Sequence, residues 1–179
     1  FFKRYSLEEG LSHVTVYDIA EGPDGQMWFA TGYGLNRYNG AKFIVYKNNS
    51  KDPHSIFENH IRSLYIDSKQ KLWIGTQRGL CFYDDEQDQF INFPYSENGS
   101  TLNVLDIVEY APNQYILGTS LGLYSFNTTS GYKRLSCPEH SGITVVRLFN
   151  ERILIGTDVG LYAYYPQSNT YEIIDKYLA

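Results

Sequence analysis

The nine residues MWFATGYGL, 27–35, return three times along the chain, as LWIGTQRGL at 72–80, YILGTSLGL at 115–123 and ILIGTDVGL at 153–161. Each copy has apolar residues, then Ala or Gly, then Thr, then two residues that change, then Gly-Leu. The Thr falls at 31, 76, 119 and 157, at intervals of 45, 43 and 38 residues. A period in that range, held in phase along 179 residues, marks a repeat architecture. It also disposes of another reading. Gly32-Tyr33-Gly34 resembles part of a glycine-rich phosphate loop, but Arg37 stands where the dinucleotide pattern needs its third glycine and no helical pattern follows. The sister copies carry Gln77, Ser120 and Asp158 at the Gly32 position.

The flanks repeat with the core. An alternating apolar run precedes each copy, at 14–19, 61–66, 104–108 and 145–149. After each Gly-Leu comes a short run with an aromatic residue three positions on (Tyr38, Tyr83, Phe126, Tyr164). A turn follows, and then a fourth run at 43–46, 90–93, 132–135 and 171–174. Asp24-Gly25, Asn39-Gly40 and Ser130-Gly131 have hairpin chemistry. No segment holds a helical period. Each unit reads as four short antiparallel strands, a to d, and such units of ~40 residues predict an all-β chain of β-propeller blades. Four complete blades are expected, at 10–46, 58–93, 101–135 and 142–174. Residues 1–6 match a strand d without its a, b and c, as in the closing blade of a ring. Nothing after Ile174 looks like closure, so a fragment of a larger ring is favoured over a closed four-bladed one, and such a piece is expected to dimerise, swap or be marginally stable.

The core motif has a physical reading. Strand b is apolar on both sides, as in a sheet covered on both faces. Ala30, Gly75, Gly118 and Gly156 let neighbouring blades approach. The hydroxyls of Thr31, Thr76, Thr119 and Thr157 hold the following turn. Gly34, Gly79, Gly122 and Gly160 supply its positive φ.

Composition agrees. Aromatic residues make up 16% of the chain, with 17 Tyr and 10 Phe, which favours strands. A formal charge of −5 argues against a general attraction to nucleic acid or anionic lipid. No apolar run reaches the ~18 residues of a membrane span. No signal peptide is visible, and the start at Phe1-Phe2 without Met reads as a mature or excised piece. Cys81 and Cys137 are too few for a disulfide framework and read as free thiols, a bridge between them being the less favoured alternative.

No catalytic motif emerges. His13, His54, His60 and His140 precede a strand a or lie between units, and HExxH, GxSxG and Cys-His patterns are missing. Asp84, Asp85, Glu86 and Asp88 lack the order of a calcium loop and read as a solvated c–d turn. Neither metal nor cofactor is expected. Binding is the better-supported chemistry. In a propeller, the b–c turns and d–a loops share one face around the central channel, and the two variable residues of each core sit in the b–c turns. Tyr33, Gln77, Arg78 and Asp158 are therefore the candidate ligand contacts, joined by Asn59 and His60 at the entry to blade 2. Tyr33 offers a face for stacking on a sugar, Arg78 a partner for a uronate or sulfate, and Asp158 an acceptor for sugar hydroxyls. The loop from Lys47 to Asn59 is the longest irregular stretch, a place where function concentrates.

GLSHVTVYDIAEGPDGQMWFATGYGLNRYNGAKFIVYKNN at 10–49 and IRSLYIDSKQKLWIGTQRGLCFYDDEQDQFINF at 61–93 resemble the two-component regulator propeller repeat. The likeness is specific in the first two units. It is looser in the last two, where Tyr115-Ile116 and Ile153-Leu154 replace the Trp-Ile pair. Gln70 stands where the family usually has Gly, and Gly22 where it often has Asp. The resemblance implies the N-terminal part of the periplasmic sensor of a Bacteroides-type hybrid two-component system. Such sensors have two seven-bladed propellers, a β-sandwich and one membrane helix, followed by a histidine kinase, a receiver and a DNA-binding region. It further implies an oligosaccharide from a glycan as ligand, a homodimeric full-length receptor, membrane attachment only through the rest of the protein, and no enzymatic or nucleic-acid-binding activity in this chain. Two alternatives stand beside it: a carbohydrate-active propeller lyase or glycosidase, and a protein–protein scaffold.

Overall fold

The computed structural model describes residues 2–137 and 142–176; Phe1 and His140 lie outside them. Among the described residues there are sixteen strands and no helix, arranged as four antiparallel sheets of four strands each. The first sheet holds β1 (Val16–Glu21), β2 (Met27–Thr31), β3 (Gly34–Tyr38) and β4 (Phe43–Tyr46). The second holds β5 (Ile61–Ile66), β6 (Leu72–Thr76), β7 (Gly79–Asp84) and β8 (Gln89–Pro94). The third holds β9 (Val104–Ala111), β10 (Gln114–Thr119), β11 (Gly122–Asn127) and β12 (Gly131–Arg134). The fourth holds β13 (Ile143–Phe149), β14 (Arg152–Thr157), β15 (Gly160–Tyr165) and β16 (Thr170–Lys176). Strand order follows chain order in every sheet, so each is a meander, the form of a propeller blade. The chain divides into two compact units, Phe1–Thr101 with the first two sheets and Leu102–Ala179 with the last two.

The register carries a feature that the linear pattern hides. In each sheet the first strand slips by one residue against the second, and the slip falls opposite the step from the core Thr to the small residue before it. Val16 faces Thr31 but Asp18 faces Ala30, leaving Tyr17 as the extra residue of a β-bulge. Arg62, Leu105 and Thr144 occupy the same place in the other sheets.

The small residue before the core Thr acts as expected at Gly118. A Cβ there would lie 2.8 Å from the Ile143 carbonyl oxygen of the next sheet. At Gly156 the nearest atom to such a Cβ is Val145 of its own sheet, at 3.4 Å, an ordinary contact. No neighbouring sheet among the described residues demands a glycine there.

In the first unit a polar cluster joins the two sheets. Arg37 Nη1 donates to the Tyr83 hydroxyl at 2.9 Å, and the guanidinium lies 5.5 to 5.7 Å from the ring centres of Trp28, Tyr46 and Tyr83. Asp88 accepts from Tyr83 at 2.5 Å and from Tyr46 at 3.1 Å. Burial holds both phenols above the ordinary tyrosine range. The expectation of a merely solvated acidic turn is corrected at Asp88, whose carboxylate terminates this inter-sheet network.

The strand d expected over 1–6 belongs to a closing blade whose other strands are not among the described residues. A strand d needs a strand c to take its hydrogen bonds, and residues 2–6, with none paired to them, form no strand here. Tyr5 instead packs edge-on against Tyr38 and Phe43, with centroids 5.1 and 5.7 Å away. Both cysteines are free, and burial raises the Cys81 thiol well above its ordinary range.

Candidate ligand site

Each b–c turn is built the same way. The core Thr hydroxyl donates to the Gly carbonyl three residues on: Thr31 to Gly34 at 2.7 Å, Thr76 to Gly79 at 2.9 Å, Thr119 to Gly122 at 2.7 Å and Thr157 to Gly160 at 3.0 Å. The same oxygen accepts the N–H of the second variable residue, from Tyr33 at 3.2 Å and from Arg78, Leu121 and Val159 at 3.1 Å. The first variable residue donates its N–H to the segment before strand a: Gly32 to Thr15, Gln77 to His60 and Ser120 to Asn103, at 3.3, 3.2 and 3.1 Å. Left-handed glycines close the turns, with φ of 123° at Gly34 and 124° at Gly79. These bonds hold the backbone of the turn, and the side chains of its variable residues project from that frame.

Tyr33, Gln77, Arg78 and Asp158 are all exposed, Tyr33 by 51%, while Asn59 and His60 are half-buried. Tyr33, Asn59 and His60 gather at one end of the first unit. Lys47 places its ammonium 4.1 Å from the centre of the Tyr33 ring, so part of that ring is already engaged. Asn59 is chiefly an anchor. Its carbonyl accepts from Gly34 N at 2.7 Å and its side-chain oxygen from Asn48 N at 2.8 Å, which pins the long loop to the b–c turn. The loop is itself well built, with Ile56 fully buried and the Phe90 N–H donating to the His54 carbonyl at 2.8 Å. Arg78 uses its carbonyl for the Tyr95 N–H at 2.9 Å. Asp158 belongs to the second unit.

Gly32 is less free than its variability implies. A Cβ at this position would come 2.9 Å from the His13 ring, so any side chain there must displace the imidazole. The sequence reading also missed Tyr17 and Arg62. His60 stacks on Tyr17 at 5.3 Å and 25°, and the Arg62 guanidinium lies 4.2 Å from the centre of the same ring. Their common position in successive units was the available signal. The bulge that presents them is visible only once the register is known.

Residues 10–33 and 55–78 match the family model described as two component regulator propeller. These two segments are similar to two-component regulator propeller repeats. Histidine kinase P4 of Formosa agariphila is 39% identical over 69 residues, which are 37% of this chain and 5% of that protein. Two solved structures share the fold. The extracellular domain of the putative hybrid two component system BT4673 from B. thetaiotaomicron has a TM-score of 0.73 at 24% identity, over 89% of this chain and 22% of that one. The corresponding domain of BT3049 from the same organism has a TM-score of 0.64 at 20% identity, over 98% and 32%. The chain therefore spans a small part of each of these proteins.

The two segments that match the family model solve the same turn differently. In the second, Asp67 accepts the Trp73 indole N–H and the Lys69 and Lys71 N–H groups, all at 2.9 Å. In the first, Gly22 leaves the room that the Trp28 indole nitrogen occupies, 2.8 Å from where a Cβ would stand. The left-handed residue of this turn is Gly25 in the first repeat, with φ 75°, but Gln70 in the second, with φ 63°.

A cleft of about 530 Å³ lies in the second unit at the opposite end of the sheets from the b–c turns, lined by Tyr110, Ala111, Leu148, Glu151, Pro166 and Gln167. No sequence motif marks it. Among the described residues, no group of three His, Cys, Asp or Glu is arranged to hold a metal ion.

Proposed function

We propose that this chain is part of the extracytoplasmic sensor of a hybrid two-component regulator, that it recognises oligosaccharides released from glycans, and that the kinase which reads the signal lies elsewhere in the same protein. The carrying observation is the b–c turn: an unvarying pair of hydrogen bonds at Thr holds two side chains that differ in every repeat. A frame that is constant inside and varied outside suits recognition better than turnover, and we assign the chain no reaction of its own. The regulator-propeller repeats and the likeness to extracellular domains support the sensor reading.

We place the sensor in the periplasm, as a homodimer in the full receptor, and its blades in a seven-bladed ring. Leu35, Leu80 and Leu123 are fully buried, whereas their counterpart Leu161 is 38% exposed, and Ile173 of the same sheet is 51% exposed. That contrast supports a further blade against the fourth sheet. Calorimetric titration with a panel of neutral and acidic oligosaccharides, with chromatography of the recovered sugars, tests the function. Saturable binding with the sugars returned intact is the expected result. Release of shortened products, or no binding across the panel, overturns it.

A further inference from the structure

Resting on the sensor reading, we propose that Tyr17, His60 and Arg62 form an anion subsite for the carboxylate or sulfate of an acidic saccharide. The two bulges put Tyr17 and Arg62 at equivalent places on adjacent first strands, and the d–a loop delivers His60 onto the same ring. The three side chains share one property. Neither the Tyr17 hydroxyl, nor the His60 ring nitrogens, nor the Arg62 guanidinium has a hydrogen-bond partner among the described residues, and the Arg62 Nε is buried without an acceptor.

Three other arginines have a polar partner. Arg37 bonds Tyr83, Arg147 pairs with Asp106, and Arg152 lies 3.9 Å from Glu172. Among the described residues Arg62 has no ion pair, and its Nε is buried without an acceptor. The nearest acidic group along the chain does not serve it, because Glu58 turns one carboxylate oxygen to the N–H groups of Asn59 and His60, at 2.7 and 3.2 Å. Tyr17 is 40% exposed and Arg62 half-buried, so the cluster is open to an anion from solvent. A planar carboxylate or a sulfate supplies the paired acceptors that a guanidinium fork takes. Lys47 on Tyr33, with its ring 51% exposed, adds a second cation and an aromatic face beside the same loop. Leu105 and Thr144 at the bulges of the second unit have neither charge nor ring, which confines the subsite to the first pair of sheets.

The test is calorimetric titration of the chain with trigalacturonate (carboxylate), galactose 6-sulfate (sulfate) and neutral galactotriose. At least one acidic sugar binds more tightly than galactotriose, its affinity falls with added salt, and the arm that binds identifies the anion. Arg62→Gln weakens that binding ~10- to 100-fold, as loss of a hydrogen-bonded charge does, and Arg62→Lys retains part of it. Tyr17→Phe, which keeps the ring and removes one hydroxyl, weakens it several-fold and serves if Arg62→Gln does not fold, as judged by its unfolding midpoint. Equal binding of the acidic sugar by the parent and the folded variants overturns the subsite, as does a preference for galactotriose, and both leave the sensor reading standing. If no sugar in the wider panel binds, the sensor reading falls as well.

Discussion

Asp106, in the first strand of the third sheet, accepts the backbone N–H of Val146 in the first strand of the fourth at 2.8 Å and pairs with the Arg147 guanidinium. Asp18 accepts the Leu64 N–H of the second sheet at the same distance. Each aspartate also takes the N–H of the residue after it, Ile19 at 2.8 Å and Ile107 at 3.0 Å. The outer edge of a first strand has backbone donors that no further strand satisfies. A carboxylate from the preceding sheet supplies the acceptor, and does so in both units. The equivalent positions in the second and fourth sheets hold Ser63 and Val145.

Removing Asp106 leaves the Val146 N–H without its acceptor, and Asp106→Ala should cost about 1–3 kcal/mol. Burial raises the Asp106 pKa above the ordinary aspartate value, against the opposing pull of the Val146 N–H and Arg147. A carboxyl with a raised folded pKa contributes most below its unfolded value and loses that contribution as pH rises through the folded one. Asp106→Asn, which keeps an acceptor and cannot ionise, should therefore gain on the parent protein as pH rises from 4 to 7. Urea unfolding at the two pH values measures the difference. An unchanged gap would contradict the burial argument.

Thr119 is fully buried and makes both turn hydrogen bonds. Thr119→Val keeps the shape but orphans the Leu121 N–H and the Gly122 carbonyl, a loss of about 1–3 kcal/mol. Thr119→Ser keeps the hydroxyl and should cost less. Denaturant midpoints compared at constant slope decide the ranking.

Gln70 holds a left-handed backbone that its counterpart Gly25 adopts without a side chain. Relief of that strain exceeds the extra freedom glycine gains in the unfolded chain, so Gln70→Gly should stabilise by about 0.5–1 kcal/mol. A higher melting temperature is the expected readout, and a lower one would mean that the Gln70 side chain contributes contacts worth more than the strain.

His60 titrates below the ordinary histidine value because of burial first, then the charge of Arg62, with His13 acting in the same direction and Glu58 against it. Folding thus favours the neutral ring, and the His60 contribution to stability is present above the unfolded value of ~6.5 and lost as pH falls toward the folded one. Imidazole NMR shifts should give a midpoint that rises in Arg62→Gln. Saturation with an acidic sugar should also raise it, since an anion stabilises the charged ring.

The strand plan and the Thr-Gly turn were legible because their causes are local. Turn chemistry and alternation act within a few residues, and the fourfold repeat multiplies a weak signal. What escaped depended on register or on partners distant in sequence. The bulges at Tyr17 and Arg62 arise from how two strands meet. Asp88 is read as a solvent-facing acid until Tyr46, 42 residues away, is found beside it. Gly32 looks like a variable loop residue until the His13 ring is seen above it. The part Asn59 plays as a loop anchor lies in two acceptor bonds that no spacing announces.

The Thr turn has a consequence for the history of such proteins. Its two hydrogen bonds use the threonine hydroxyl and main-chain atoms only, so they are indifferent to which residues occupy the two outward positions. A lineage can rewrite those positions without touching the turn's own bonds, and is held back only where a neighbour crowds one of them, as the His13 ring does at Gly32. New ligand preferences are then reached by small steps through viable ancestors.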